Sequence, residues 1–210
     1  MLTLAINTAS SKTAIALLEN TEIIAEDSWD AENREAEKLM PAIHNLLKKK
    51  NKNYTDIDEI YAIKGPGSFT GLRIGVTVAN TLAYLLNCRL FSISAFEYWH
   101  VAGDSSVLIY AGKGGLYFSE NKNSKPELLK LSEAEQILKS KKIKTVCGDI
   151  TEDQKKQLKG IKFINNEKSF GEIIKTAIES LGKNTVKMIE PIYIKSPGIT
   201  QNNNQQKCST

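Results

Sequence analysis

The sequence predicts an α/β protein of mixed sheets flanked by helices, and three observations carry that prediction. Short apolar strands separated by polar turns fill the first thirty residues or so. A strand, a glycine-rich turn, a long apolar helix and another strand follow over 59–93. The second half alternates β and α patterns again, which predicts two similar subdomains.

Leu2–Asn7 and Thr13–Leu18 read as strands joined by the polar turn Thr8-Ala9-Ser10-Ser11-Lys12, and Thr21–Ser28 reads as a third. A helix is expected over Ala31–Lys50, with Leu39, Ile43, Leu46 and Leu47 on one face. Pro41 inside it lacks a backbone donor and is expected to kink it or to remove one hydrogen bond. Strand Glu59–Ile63, the turn, helix Leu72–Leu86 and strand Arg89–Ile93 form a βαβ unit, so three meandering strands gain two parallel ones. A second part begins near Gly103, with strands expected at Val107–Ala111, Leu116–Ser119, Lys144–Gly148 and Ile161–Ile164. Ser132-Glu133-Ala134-Glu135 and Thr151-Glu152-Asp153-Gln154 read as helix starts, and Phe170–Leu181 as the last helix. The divisions expected are 1–102, 103–195 and a tail over 196–210, whose Asn- and Gln-rich end lacks an apolar pattern and reads as disordered.

Composition excludes several classes. With 210 residues, 41% hydrophobic and 25% charged, the chain has enough material for a full core without disulfide staples. Cys88, Cys147 and Cys208 are odd in number and widely spaced, which fits free thiols in a reducing cytoplasm and rules out a CxxC clip. His44 and His100 are not spaced as a helical metal pair, so no metal is expected. No run of 18 apolar residues suggests a membrane span, and the N-terminus lacks a basic region and cleavage site, so it reads as a first strand. The net charge is +4, and Lys48-Lys49-Lys50, Lys139 to Lys144 and Lys155 to Lys162 read as solvated helix ends and faces. No aromatic residues interleave with them, so this chain alone is not expected to read RNA sequence.

Gly65-Pro66-Gly67-Ser68-Phe69-Thr70-Gly71-Leu72-Arg73-Ile74-Gly75 is the most informative stretch. Following strand Ile60-Tyr61-Ala62-Ile63 and opening a helix, it has the form of an anion site, because free N–H groups and the helix dipole point into the turn. Ser68 and Thr70 read as helix N-caps rather than nucleophiles, since no base neighbours them. The helix after the turn is apolar around most of its circumference, through Leu72, Ile74, Val76, Val78, Ala79, Leu82, Ala83, Tyr84, Leu85 and Leu86. Such a helix needs cover on two sides, either from the sheet and the 31–50 helix or from a partner subunit. Gly75 would admit another backbone, and Arg73, a cation at the disfavoured end of a helix dipole, is placed to meet a partner or its nucleotide.

With Asn7-Thr8, the G-P-G-S-F-T-G-L-R-I-G loop resembles the signature of the TsaB (YeaZ) family, part of a Gcp/TsaD glycoprotease-like superfamily. Leu39-Met40-Pro41, Ser92-Ile93-Ser94 and Glu190-Pro191-Ile192-Tyr193 add to the likeness, which is strong over 1–100 and mostly positional over 101–195. The resemblance implies two lobes of the actin/Hsp70-like (ASKHA) fold. It implies a cytoplasmic, non-catalytic subunit that pairs with a TsaD-type paralogue and recruits a TsaE-type ATPase. Together they would install threonylcarbamoyl on N6 of adenosine 37 in tRNAs reading ANN codons, with tRNA met through the complex. Alone, such a chain is expected to homodimerise.

Departures from the family's fold also carry information. Active members place an acid at the end of the first strand, where this chain has Asn7. The family's D-A-R-x-x-E-V-Y segment corresponds to Tyr110-Ala111-Gly112-Lys113-Gly114-Gly115-Leu116-Tyr117. An amide and glycines do not compensate a hard cation, so Asn7, Thr8 and Ala111 are expected to form a degenerate nucleotide site with no cofactor and no catalytic residue. The partner interface is expected at Leu39, Ile43, Arg73, Ile74, Gly75, Val78 and Leu82, shaped by the loop Gly65, Pro66, Gly67, Ser68, Phe69, Thr70 and Gly71. A small-molecule kinase or ATPase using that loop as a phosphate cradle is the alternative. A peptidase would need a metal or a nucleophile–base pair that cannot be assembled from these residues.

Overall fold

Leu2–Asn7 (β1) is buried along its whole length because both faces of the sheet it centres are covered. A computed structural model describes residues 1–31, 34–112, 114–164, 168–180 and 184–193. The first sheet adds Lys12–Glu19 (β2), Glu22–Asp30 (β3), Ile57–Ile63 (β4) and Arg89–Ile93 (β5), in the order β3-β2-β1-β4-β5. β1, β2 and β3 pair antiparallel, whereas β4 joins β1 and β5 joins β4 in parallel, as the crossover helix between them requires.

On one face lie Glu35–Lys49 (α1) and Phe69–Leu86 (α2). Leu39, Ile43, Leu46 and Leu47 from α1 and Val76, Ala79, Leu82 and Ala83 from α2 share a core with Leu2, Leu4, Ile6, Ile15 and Leu17. The other face, carrying Ala5, Ala14, Ala16 and Leu18, is covered by Ala95–Ala102 (α3) and Phe170–Ser180 (α6). α6 therefore returns from the far end of the chain to pack on β2 and β3, anchored by Lys175 Nζ on Glu22 at 2.6 Å.

Ser106–Tyr110 (β6), Gly115–Ser119 (β7), Glu127–Lys130 (β8), Thr145–Asp149 (β9) and Lys162–Phe163 (β10) form the second sheet, ordered β10-β9-β6-β7-β8. Its pattern repeats the first: three antiparallel strands, then two parallel additions. Leu131–Ser140 (α4) and Glu152–Gln157 (α5) flank it. A core shared by both sheets, with Ala5, Tyr98, Val107, Ile109, Tyr117 and Cys147, joins the lobes.

Four elements depart from the sequence reading, the first being α1, which begins at Glu35 rather than at Ala31. α2 begins at Phe69, so Phe69, Thr70 and Gly71 form its first turn. α3 was not expected, although Ser94 and Glu97 make a reciprocal capping box at its start. β8 was also not expected, because an edge strand of four mostly exposed residues has almost no apolar pattern. The tail over 196–210 and Lys113 lie outside the described residues.

Candidate functional site

The glycine-rich loop closes inward onto the β1–β2 turn. A Cβ at Gly67 would overlap the Ala9 carbonyl, one at Gly71 the Thr8 carbonyl, and one at Gly75 the Thr8 hydroxyl. These glycines exist because the loop and the first two turns of α2 lie directly on Thr8 and Ala9. Ser68 accepts from Gly71 N at 3.2 Å and caps α2, as its position in the sequence suggested. Ser68 N donates to the Ala9 carbonyl at 2.8 Å and fastens the loop to the turn.

Asn7 is occupied in the same way. Its Oδ1 accepts from Ala9 N at 2.9 Å and its Nδ2 donates to Ser10 Oγ at 3.2 Å, so the side chain holds the turn that the loop covers. Asn7 and Thr8 thus sit together beneath the loop, both 2% exposed. Ala111 lies in the β6–β7 turn, where its N–H reaches the Gly115 carbonyl at 3.1 Å.

Sequence reasoning looked for a second-lobe carboxylate in the 110–117 segment and missed Asp149. Asp149 ends β9 and accepts from Ser11 twice, from N at 2.6 Å and from Oγ at 2.7 Å. This charge-assisted pair bridges the two lobes across 138 residues of chain. A carboxylate at the C-terminal end of a parallel strand, just before the Thr151 cap, was the available signal, since that end of a sheet is where ligands meet it.

The C-terminal segment covers the loop from outside. Ile192 N donates to the Lys64 carbonyl at 2.7 Å, Asn80 exchanges hydrogen bonds of 3.0 and 2.8 Å with Ile189, and Val186 N reaches the Leu90 carbonyl at 2.9 Å. Tyr193 packs on Phe69 with ring centroids 5.2 Å apart. Arg73 is exposed but laid across this pair: its guanidinium sits 4.0 Å from the Phe69 centroid, and its Nε donates to the Tyr193 hydroxyl at 3.4 Å.

Of the residues expected at a partner interface, Leu39, Ile43, Gly75 and Leu82 require correction. Leu39 and Ile43 are fully buried, Leu82 is 7% exposed, and all three fill this chain's own core. Helical spacing locates an apolar face but does not say what covers it, and here the sheet does. Gly75 admits Thr8 rather than a foreign backbone. Ile74 and Val78 remain half-exposed and Arg73 exposed on the outer side of α2. That side continues to Tyr84 and Leu85, 86% and 69% exposed, which the sequence reading did not place there. By length and composition α2, at 18 residues and mean hydropathy 1.2, would also pass as a membrane span. Its inner face, however, is locked into the sheet core.

Comparison with known proteins places this architecture. The family described as TsaD, tRNA N6-adenosine threonylcarbamoyltransferase, matches residues 29–170, more than half of the chain. The tRNA threonylcarbamoyladenosine biosynthesis protein TsaB of Bacillus subtilis is 37% identical over 122 residues, covering 56% of this chain and 53% of that protein. The TsaB protein of Escherichia coli is 29% identical over 143 residues, covering 65% and 62%. The chain thus spans between half and two thirds of the length of these relatives. Its fold matches that of YeaZ from Pseudomonas aeruginosa at 15% identity and a TM-score of 0.68, over 92% of this chain and 99% of that one. A second Pseudomonas aeruginosa structure, described as similar to peptidase YEAZ, superposes with a TM-score of 0.74 at 17% identity. The two mixed sheets flanked by helices are the two lobes of an actin-like fold, and the chain belongs to the TsaB (YeaZ) family.

Proposed function

We propose that this chain is a non-catalytic scaffold subunit for N6-threonylcarbamoylation of adenosine 37 in tRNAs reading ANN codons. In this reading it works in the cytoplasm, pairs with a TsaD-type paralogue, and the pair recruits a TsaE-type ATPase. The names of the TsaB relatives support the pathway. The observation that carries the scaffold role is the outer side of α2. Tyr84 and Leu85 are displayed there, flanked by half-buried Ile74 and Val78, which also pack on the core into which the opposite side is sealed. Burying one such side chain at an interface is worth about 1.5–3 kcal/mol before association costs, so the stripe is a natural centre for a contact. Without its partner the same stripe would pair two copies of the chain.

The kinase alternative is less well supported. Its phosphate cradle requires a loop that stands open, and here the loop lies on Thr8 and Ala9 with Asn7 tied into the turn. Co-expression with the TsaD-type paralogue tests the scaffold role. The wild-type chain should co-elute with it, and Ile74→Asp, Val78→Asp or Leu85→Asp should separate the two while each chain stays folded. Retained pairing of all three variants would refute the docking face. Calorimetry showing tight magnesium-dependent ATP binding by the isolated chain would restore the kinase reading.

A further inference from the structure

At the end of the first lobe where β1 and β4 begin, a cavity of about 670 Å³ opens beside the C-terminus of α1, lined by His44, Lys48, Asn51, Lys52, Asn53 and Tyr54. It lies at the opposite end of the sheet from the glycine-rich loop, which follows the last residue of β4. Read from sequence, Lys48, Lys49 and Lys50 are a solvated helix end, and no aromatic residue interleaves with them to stack on a base. Folding supplies what the linear order lacks. His44 on α1 and Tyr54, ten residues on, face each other nearly parallel, with centroids 6.2 Å apart and planes 24° apart.

Charge in this corner is unbalanced. Lys52 Nζ pairs with Glu19 at 2.6 Å, and Asp56 accepts from Asn53 N at 2.7 Å. Lys48, Lys49 and Lys50 form no ion pair among the described residues. The carbonyl end of a helix explains why lysines collect there, since cations are favoured at that pole. It does not explain two flat rings and an amide side chain, Asn51, in the same concavity. Ring faces accept a base by stacking, amides read base edges, and ammonium groups take phosphate. An acidic peptide would need the lysines but not the rings.

We infer that this cavity holds a nucleotide unit of single-stranded RNA, with phosphate on Lys48 and the base against His44 and Tyr54. The inference rests on the tRNA-modification reading only for the choice of RNA over DNA.

The test is fluorescence anisotropy of the full chain with a fluorescein-labelled single-stranded RNA of about 10 nucleotides at low salt. Binding should weaken as salt rises, with a log–log slope of about −0.7 for each phosphate held. His44→Ala and Tyr54→Ala should each weaken binding by about 5-fold or more, Tyr54→Phe should preserve it, and Lys48→Glu should weaken it further. His44 is exposed, so its variant keeps the test valid if loss of half-buried Tyr54 disturbs folding. Lys159→Glu, on the far lobe, should change nothing. No binding at low salt would overturn the inference. So would His44→Ala and Tyr54→Phe binding alike with inorganic polyphosphate or an acidic peptide competing as well as RNA, which marks a site that reads charge alone. Because the assay uses the isolated chain, RNA binding through these residues in a chain whose deletion leaves tRNA modification normal would uphold the site and refute the pathway.

Discussion

Replacing Gly75 by Ala separates two meanings of that glycine. The added Cβ would overlap the Thr8 hydroxyl and come within 3.1 Å of the Thr8 Cβ and Cγ2. Overpacking a well-filled site costs about 1–3 kcal/mol, while Gly to Ala inside a helix returns about 1 kcal/mol. The net expectation is a loss of about 0–2 kcal/mol for Gly75→Ala alone. In a Thr8→Ala background the hydroxyl and Cγ2 are gone, so the same change should be neutral or stabilising by up to about 1 kcal/mol. The two changes should therefore couple by about 1–3 kcal/mol in a double-mutant cycle. Urea denaturation of the four proteins measures this. A melting scan should show about 2–4 °C per kcal/mol for a chain of this size. If the changes were additive within about 0.5 kcal/mol, or if Gly75→Ala stabilised the parent protein by its full helix preference, Gly75 would not be packed on Thr8. Its reading as a seat for a partner's backbone would then return.

Other consequences are as direct. Asp149→Ala removes both acceptors of Ser11 and should cost about 1–3 kcal/mol by denaturation, and Ser11→Ala, which keeps the backbone bond, should cost less. Arg89→Ala strips the cation 2.9 Å from the fully buried Glu59, which then keeps, among the described residues, the Thr3 hydroxyl bond at 3.2 Å. About 1–3 kcal/mol of stability should go, less than for a wholly buried pair because Arg89 is half exposed. Burial holds the His100 imidazole below its ordinary range, so the unfolded chain binds a proton that the folded one refuses. Stability should then fall as pH drops through about 6.5 towards the lowered folded value, and His100→Gln should flatten that slope in pH-dependent melting. Burial raises both the Cys147 and Cys88 thiols, so in a folded sample iodoacetamide should label them slowly and at more alkaline pH than a free thiol. Cys147, 2% exposed, should be the slower of the two.

Much of the first lobe was legible because its signals are local. β1 and β5 have the bounds their apolar runs suggested, and Ser68 caps α2 as a serine before a helical run should. α3 was missed although its Ser94–Glu97 box was visible, because eight residues of aromatic character show little helical period. The candidate site was legible only in part. An apolar girdle marked α2 as needing two covers, but composition could not reveal that Leu82 faces the sheet while Tyr84 and Leu85 face out. The Ser11–Asp149 bridge and the Arg73–Tyr193 contact join residues more than a hundred positions apart. Only tertiary packing brings them together, and it is packing that turns the phosphate-cradle pattern of the glycine loop into an internal joint.

The central claim is that the outer side of α2 docks this chain into a tRNA-modifying complex. Nucleoside mass spectrometry of tRNA from cells whose sole copy carries Leu85→Asp tests it most directly, beside the wild-type and deletion strains. The account expects threonylcarbamoyladenosine to be depleted in the deletion and in Leu85→Asp, even though the variant accumulates and melts like the parent. Wild-type levels in the deletion would contradict the pathway, and wild-type levels in Leu85→Asp alone would contradict the docking face.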